Sequence, residues 1–437
     1  MEERKMTADV AVVGGGLGGL TAATYLARGG RSVVLCEKAA ALGGRAATTV
    51  VDAFRLNLGP HALYAASHGV GVLRELGIAF KGAKPSASGA FAVARGAKHA
   101  LPGGFLSLVT TGLFGLPAKL ETARLLAGFG RVDVQPLASV SMRDWIDGNV
   151  RHSEVRELVG ALVRVATYSN DPEHLSAAAA ITQVQGALAA GVLYLDGGWQ
   201  TLVDGLRAAA AAAGVRVVTS ARAASVTRGG TGWAVQLADG TIIDSRAAVL
   251  AAGPDAVAAL LQGTEQGTVR RWAEAAIPVK AACLDLALSR LPQPRATFAL
   301  GIDRPLYLSV HSAYAALGPR DNAVIHVAKY LGRAASDPRA DERELEALMD
   351  LIHPGWRDVV LQRRFLPDML VTAALPTPAN GGTAGRPGPA VPGADDLYVV
   401  GDWVGPHGML ADASLASAKQ AASMILQRAA RPARAAA

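Results

Sequence analysis

Six residues near the start of the chain, Gly14-Gly15-Gly16-Leu17-Gly18-Gly19, carry the first chemistry that can be read from this sequence. Gly14, Gly16 and Gly19 fit the spacing G-x-G-x-x-G. In that pattern the first glycine permits a tight turn off a strand. The second lets backbone approach a diphosphate, and the third lets the next helix pack closely on the sheet. The helix N-terminus, where Leu17 and Gly18 lie, then offers free N–H groups and a positive dipole end to the phosphates. Glu37 stands 18 residues beyond Gly19, with Lys38 beside it. A carboxylate there can accept hydrogen bonds from a ribose diol and disfavours a 2′-phosphate. Taken alone, this loop suits a nicotinamide or a flavin dinucleotide.

Two further motifs narrow the choice. Leu42-Gly43-Gly44-Arg45 follows directly on the ribose-binding acid. Its glycines can wrap a diphosphate and a flavin edge, and Arg45 can donate to phosphate. A nicotinamide unit has no use for this element. Far away in sequence, Tyr398-Val399-Val400-Gly401-Asp402 ends a strand in a carboxylate that can reach a ribityl chain. Gly408, Met409 and Leu410 then lead into a helix whose N-terminus would face the flavin pyrimidine edge and stabilise an anionic reduced flavin. FAD is the cofactor these motifs predict.

The elements that must hold these residues follow from pattern. Residues 9–13 and 32–36 read as buried strands around a helix over 20–27, a β-α-β unit. Helical spacing recurs at 72–76, 120–129 and 155–165, so the stretch from 70 to 190 reads as mainly helical. A helix over 202–213 and strands at 215–219 and 225–227 come next. A hairpin of 233–237 and 241–244 turns at Asp239-Gly240, and a buried strand follows at 247–251. Residues 280–288, 306–311 and 323–329 read as strands, with a helix over 342–349. A Pro/Gly-rich loop over 376–392, a strand over 397–400 and a helix over 413–427 close the chain. The predicted class is α/β, a discontinuous Rossmann-type FAD domain with a second α+β substrate domain. Residues 1–70, 190–275 and 390–430 would build the FAD domain. Residues 71–189 would form the helical part of the substrate domain and 276–389 its sheet. Residues 431–437 would be a frayed tail.

Composition removes several function classes. The 437 residues are 51% hydrophobic and 18% charged, with a mean hydropathy of +0.25. That is ample core material for two or three domains and excludes a disordered chain. The net charge of +7 is dispersed, and the 5% aromatic residues do not interleave with basic ones. Nucleic acid is therefore not an expected partner. Cys36 and Cys283 lack metal-ligand spacing, so no metal is expected. Two free cysteines and an acidic, unapolar N-terminus point to a cytoplasmic protein. No run reaches the roughly 20 apolar residues of a spanning helix. The sparsely charged segment 101–130 suggests peripheral membrane contact instead.

Through these residues the sequence resembles the FAD-dependent family of phytoene desaturases, protoporphyrinogen oxidases and flavin amine oxidases, nearest its phytoene desaturase-like branch. The resemblance rests on Gly14–Gly19, Glu37, Leu42–Arg45, Gly197-Gly198-Trp199-Gln200-Thr201-Leu202, and Gly401-Asp402 with Gly405, Gly408 and the closing helix. The 197–202 stretch is similar to the family's "GG-x-x-x-L" segment, and 306–329 to its substrate-domain strands. The resemblance implies that Gly14, Gly16, Gly19, Glu37, Gly43, Gly44, Arg45 and Asp402 bind FAD. It also implies that the strand around Val226 meets the adenine. Gly59, Pro60 and His61, just after the arginine motif, are expected near the flavin or its diphosphate. Residues 401–412 contain no cysteine, so the FAD is expected to be noncovalent.

What the resemblance implies for the reaction is transfer of a hydride from a hydrophobic or amine substrate to flavin N5, with reoxidation by oxygen, a quinone or another acceptor. Dehydrogenation of a terpenoid or similar apolar compound is the first reading. A flavin amine oxidase or protoporphyrinogen oxidase-like enzyme is the second. A non-catalytic escort protein on a flavin fold is a third, from another class. No Ser-His-Asp or paired-carboxylate site is visible. The candidates for a catalytic role are His407, Lys329 and His61, with Lys280 a further candidate for the amine-oxidase lysine. Trp199 and Trp403 could flank the flavin or simply pack, and Cys36 and Cys283 read as core.

Overall fold

Small and β-branched residues at 10–13 alternate between two buried faces, and this alternation sets the first layer of the protein. The computed structural model describes residues 5–86 and 89–430; the predicted tail 431–437 lies outside them. From the N-terminus run β1 (Lys5–Val13), α1 (Leu17–Arg28) and β2 (Val33–Cys36). A hairpin of β3 (Thr48–Val51) and β4 (Phe54–Asn57) follows, then β5 (Leu63–Tyr64), α2 (His68–Glu75) and β6 (Gly82–Ala83). Strands β7 (Ala90–Ala94) and β8 (Ala97–Ala100) precede five helices: α3 (Phe105–Thr110), α4 (Leu116–Phe129), α5 (Met142–Asn149), α6 (Ser153–Thr167) and α7 (Ala177–Ala190).

The middle holds β9 (Val192–Leu195), α8 (Gln200–Ala212), β10 (Arg216–Val218), β11 (Ala223–Arg228), β12 (Trp233–Leu237), β13 (Ile242–Leu250), α9 (Pro254–Leu260) and α10 (Glu265–Ala275). Then come β14 (Val279–Leu288), β15 (Phe298–Gly301), β16 (Leu306–Val310), β17 (Ala323–Tyr330), α11 (Pro338–Ile352), β18 (Val360–Thr372), β19 (Leu397–Val399) and α12 (Leu410–Ala430).

The first large sheet has the order β10-β2-β1-β13-β12-β11, with β19 also paired to β13. Strands β10, β2, β1, β13 and β19 run parallel, and β11–β12 form an antiparallel ribbon on β13. This is a Rossmann-type sheet assembled from the start, middle and end of the chain. Val10 and Val12 pack on α1, α8 and α12 through Leu20, Leu202 and Leu415. Ala11 and Val13 face the ribbon through Val235 and Trp233.

The second sheet has the order β18-β14-β17-β16-β15-β7-β8. One face, with Leu284, Leu286, Ile325 and Val327, packs on Leu345, Leu348 and Met349 of α11. The opposite face carries Cys283, Ala328, Tyr307 and Tyr330. The expectation of a mainly helical stretch before residue 190 holds for α3 to α7 but fails for β7 and β8. Strand β7 runs parallel to β15, pairing Ala90 with Phe298. Its other partner, β8, is local, but strands of five and four residues give too few alternations to stand out. Helix α1 also begins earlier than its apolar pattern, because Gly16 caps it. No helix among the described residues is long and apolar enough to cross a membrane.

Candidate functional site

The glycines of the first loop divide by what a side chain would strike. A Cβ on Gly14, at φ +108°, would lie 2.5 Å from the Ala251 carbonyl oxygen, and one on Gly19 would lie 1.9 Å from the Gly14 oxygen. These two exist for packing. A Cβ on Gly16 would meet nothing nearer than the Gly43 oxygen at 3.8 Å. Gly43 donates its N–H to Gly15 at 2.9 Å, and a Cβ on Gly44 would come no closer than 3.8 Å to Gly16. Two glycine turns thus lie back to back without side chains between them. No side chain caps α1 at Gly16, and the first N–H groups of a helix have no intrahelical partner. This donor set and open backbone suit a diphosphate. Glu37 accepts hydrogen bonds from Gly15 N at 2.7 Å and Ala39 N at 2.9 Å. That fixes the carboxylate beside the loop with lone pairs left for a diol. Lys38 is exposed.

Val226 does not sit at this edge. It is fully buried in the core with Trp233 and Val235, and its backbone bridges Leu261. The backbone against the ribose-binding acid lies a few residues earlier: Ala221 N donates to the Glu37 carbonyl at 2.8 Å and Ser220 N to that of Ala39 at 2.9 Å. The sequence places a strand here correctly, but strand membership does not say which end meets Glu37.

The motifs from opposite ends of the chain meet in an ion pair. Arg45 Nη1 donates to Asp402 Oδ2 at 2.5 Å and to the Val371 carbonyl at 2.9 Å. Ala373 N donates to the same carboxylate oxygen at 3.0 Å, while Asp402 Oδ1 is buried without a partner. Burial pushes the Asp402 carboxyl up, but Arg45 and the donors at Thr372 and Ala373 outweigh it and hold it below the usual range. The fork expected to reach phosphate thus has one arm engaged with a carboxylate that burial leaves in need of a counter-charge. Arg386, which the sequence reading missed, donates to the carbonyls of Asp402 at 3.2 Å and Gly408 at 2.9 Å. It clamps the loop before α12, where Met409 is buried. At that helix's first turn Asp412 accepts from Gly69 N at the start of α2. His407 is exposed, its ring 4.8 Å from that of His68. Both border an open cleft of about 890 Å³ between α2 and α12.

The second sheet meets these loops through its Cys283 face. A Cβ on Gly59 would come within 2.9 Å of Cys283 Sγ and 2.8 Å of Met369 Cε. Tyr168 donates to the Pro60 carbonyl at 2.7 Å. Around buried Tyr307 and Tyr330, the side chains of Tyr168, Phe298, Leu366, Met369 and Val371 stay partly exposed. Burial pushes the Tyr168, Tyr307 and Tyr330 hydroxyls well above the ordinary range, so they remain neutral. His61 lies between two carbonyl oxygens, Nδ1 3.1 Å from Gly59 and Nε2 3.0 Å from Arg45, with its ring 4.9 Å from Trp199. Burial holds it below the usual histidine range. Gly198 explains its own conservation of space here: a Cβ would strike Thr48 and Asn57, and Trp199 N donates to Asn57 Oδ1 at 3.0 Å.

Lys329 is not part of this face. Residues alternate along β17, so Lys329 follows Ile325 and Val327 onto the α11 side. There it bonds Asp341 at 2.7 Å and Glu344 at 3.0 Å. Its choice as a flavin lysine is corrected by strand parity, which the sequence could not orient. Lys280 pairs with the exposed Asp368 at 2.8 Å. Trp403 donates to the Ala252 carbonyl and is core, as is Cys36, whose thiol burial pushes up to about 12.

Residues 17–280 match the flavin containing amine oxidoreductase family. Over the whole chain the fold is similar to that of an oxidoreductase from Methanosarcina mazei, with a TM-score of 0.74 and 18% identity, covering 95% of this chain and 99% of that one. It is also similar to cyclohexylamine oxidase from Brevibacterium oxydans, with a TM-score of 0.73 and 15% identity, covering 97% and 100%. A carotenoid 3,4-desaturase of Haloarcula japonica is 60% identical over 52 residues, 12% of this chain and only 10% of that enzyme. The family match covers more than half the chain, and the glycine loops meet the needs of a flavin dinucleotide. The chain belongs to the flavin containing amine oxidoreductase family and is an FAD-dependent oxidoreductase.

Proposed function

We propose that this enzyme dehydrogenates a neutral apolar substrate of the terpenoid class. One observation carries the reading. On the sheet face turned to the cofactor loops, β14 presents Val279, Ala281, Cys283, Asp285 and Ala287, β16 presents Tyr307 and Ser309, and β17 presents Val324, His326, Ala328 and Tyr330. The single carboxylate among them, Asp285, is already ion-paired with Arg364. A protonated amine against this face would find its one carboxylate already paired, and a buried unpaired charge is strongly disfavoured. A neutral hydrocarbon meets no such penalty. The short desaturase match agrees with this.

In this reading Leu17 and Gly18 donate to the FAD diphosphate past Gly16, Gly43 and Gly44, and Glu37 holds the ribose. The backbone of residues 221–223 meets the adenine. Gly59 to His61, Arg45 and Gly401 to Leu410 surround the flavin, which supplies hydride acceptance when bound. Anaerobic titration of the yellow protein with a terpenoid, a porphyrinogen and an amine tests it. Bleaching by the terpenoid is expected; bleaching by the amine alone would refute the apolar reading.

An apolar substrate is delivered most directly from lipid. Leu106, Val109, Leu116 and Leu120 on α3 and α4 are 75%, 52%, 72% and 65% exposed, an unusual grouping for a surface facing water. We propose that this helical pair docks on a membrane. Changing the three leucines to serine should weaken liposome co-sedimentation about tenfold or more. Equal sedimentation of variant and parent would exclude the contact.

A further inference from the structure

A row of polar residues crosses the cofactor-facing side of the second sheet, and substrate packing does not account for it. Arg364 lies opposite Asp285, Asp285 opposite His326, and His326 opposite Ser309. Arg364 donates to Asp285 Oδ2 from Nη2 at 2.6 Å and from Nε at 3.1 Å, Nη2 also donates to the Asn57 carbonyl, and Nη1 donates to Thr49 Oγ1 at 3.2 Å. His326 Nδ1 lies 2.6 Å from Asp285 Oδ1. Neither Asp285 nor His326 has exposed surface. With Nδ1–H directed at a carboxylate, neutral His326 keeps its lone pair on Nε2. That Nε2 is buried and has no hydrogen-bond partner among the described residues.

The groups around His326 are arranged to accept one further positive charge there. Burial pushes the Asp285 carboxyl up, yet His326 and Arg364 together hold it below the usual range, so it is ionised. His311, from the turn after β16, meets His326 edge-on with ring centroids 4.6 Å apart. Burial holds His311 well below the ordinary histidine range, so it is neutral. Tyr194 of β9 stacks on His311 at 3.9 Å and bonds Ser309 at 3.0 Å and Tyr307 at 3.2 Å. Burial pushes its hydroxyl up, so it is neutral as well. His61 lies within electrostatic reach of His326 and His311 and touches the Arg45 loop. A neutral imidazole has one N–H and can satisfy only one of the two carbonyls that flank His61.

We propose that the Asp285–His326 pair is the proton-holding site of this reaction centre, with His326 Nε2 receiving the proton that the substrate loses along with its hydride. The proposal rests on the dehydrogenation reading. Two C–H bonds on adjacent carbons break and a C=C bond forms. One hydrogen leaves with its bonding pair, reducing FAD. The other leaves as a proton, which His326 Nε2 holds as an imidazolium paired with Asp285. His326 acts at a distance from the reacting carbons, so it is a positioning residue for the proton.

Proton counting tests this without a substrate. The FAD-loaded protein is reduced anaerobically near neutral pH at a cathode through methyl viologen, which carries electrons without protons, and protons taken up are measured with a pH electrode. The wild type is expected to take up two protons per flavin, one on the anionic reduced flavin and one on His326. Asp285→Asn and His326→Gln should each take up one. A count of one in the wild type, or of two in either variant, overturns the proposal. Nitrogen NMR of labelled histidines in the wild type gives a reading independent of variant folding. One histidine should pass from the Nδ1–H form to the doubly protonated form on reduction, and an unchanged histidine spectrum overturns the proposal. A protein that binds no FAD would instead refute the flavin reading, and its lack of yellow colour separates that failure from this one.

Discussion

A Gly16→Val variant is expected to fold and to lose FAD, whereas Gly19→Ala is expected to lose stability before cofactor binding can be asked about. The two glycines stand three residues apart in one motif, and the difference between them is steric. Gly16 has φ −80° and ψ −175°, an extended conformation open to any residue, and its Cβ would approach only the Gly43 oxygen at 3.8 Å. A Cβ there strikes nothing in the protein, and the weaker N-cap costs little, so the apoprotein should unfold within about 1 kcal/mol of wild type. Its methyls would occupy the space the diphosphate needs, and FAD affinity should fall by about 100-fold or more, roughly 2.7 kcal/mol. At Gly19 a Cβ would sit 1.9 Å from the Gly14 carbonyl oxygen. Backbone must move, which forces α1 off the sheet and costs about 1–3 kcal/mol or more. Urea unfolding of both apoproteins and fluorescence titration with FAD measure the contrast. Gly16→Val binding FAD with wild-type affinity would show that the diphosphate lies elsewhere.

That contrast also shows what the sequence could and could not reveal. The cofactor loops are legible because each is a local motif whose residue types follow from one physical demand: close backbone approach at Gly16, a carboxylate at a strand end for Glu37, a turn at Gly43-Gly44. The pairing of Arg45 with Asp402 joins residues 357 apart, and sequence supplies both partners but no reason to join them. The row of Arg364, Asp285 and His326 was invisible for a stronger reason. Each residue is a lone polar group in an apolar strand, and only antiparallel register brings them together. Register also decides which face a residue takes, since a shift of one position reverses it. Lys329 was misassigned on that account, and Val226 for the related reason that a strand's pattern does not mark the end nearest the ligand. Strands β7 and β8 form a local hairpin, but at five and four residues they carry too few alternations to stand out.

Arg45→Met should destabilise the protein more than Asp402→Asn, and the excess should depend on pH. The asymmetry comes from burial. Arg45 keeps 44% of its side-chain surface and Asp402 only 2%. Removing the carboxylate leaves an arginine that water can still reach, at a cost of about 1 kcal/mol. Removing the arginine leaves a buried carboxylate whose remaining neutral donors at Thr372 and Ala373 do not replace the lost charge. Loss of one partner of a fully buried pair costs about 3–5 kcal/mol, which the exposure of Arg45 reduces here to about 2–3 kcal/mol. In the wild type the Asp402 carboxyl lies below its unfolded value. Its contribution is therefore complete at neutral pH and is lost only as pH falls through the acid range. In Arg45→Met the sign reverses. Burial without the cation raises the folded carboxyl above its unfolded value, so the penalty is greatest at high pH and is relieved as the group binds a proton. The stability gap between variant and parent should thus shrink between about pH 8 and about pH 5, and urea midpoints at the two pH values measure it. A gap that stayed constant would mean that Asp402 is not left as an unpaired charge, and that the two ends of the chain are held together at this site by packing rather than by the ion pair.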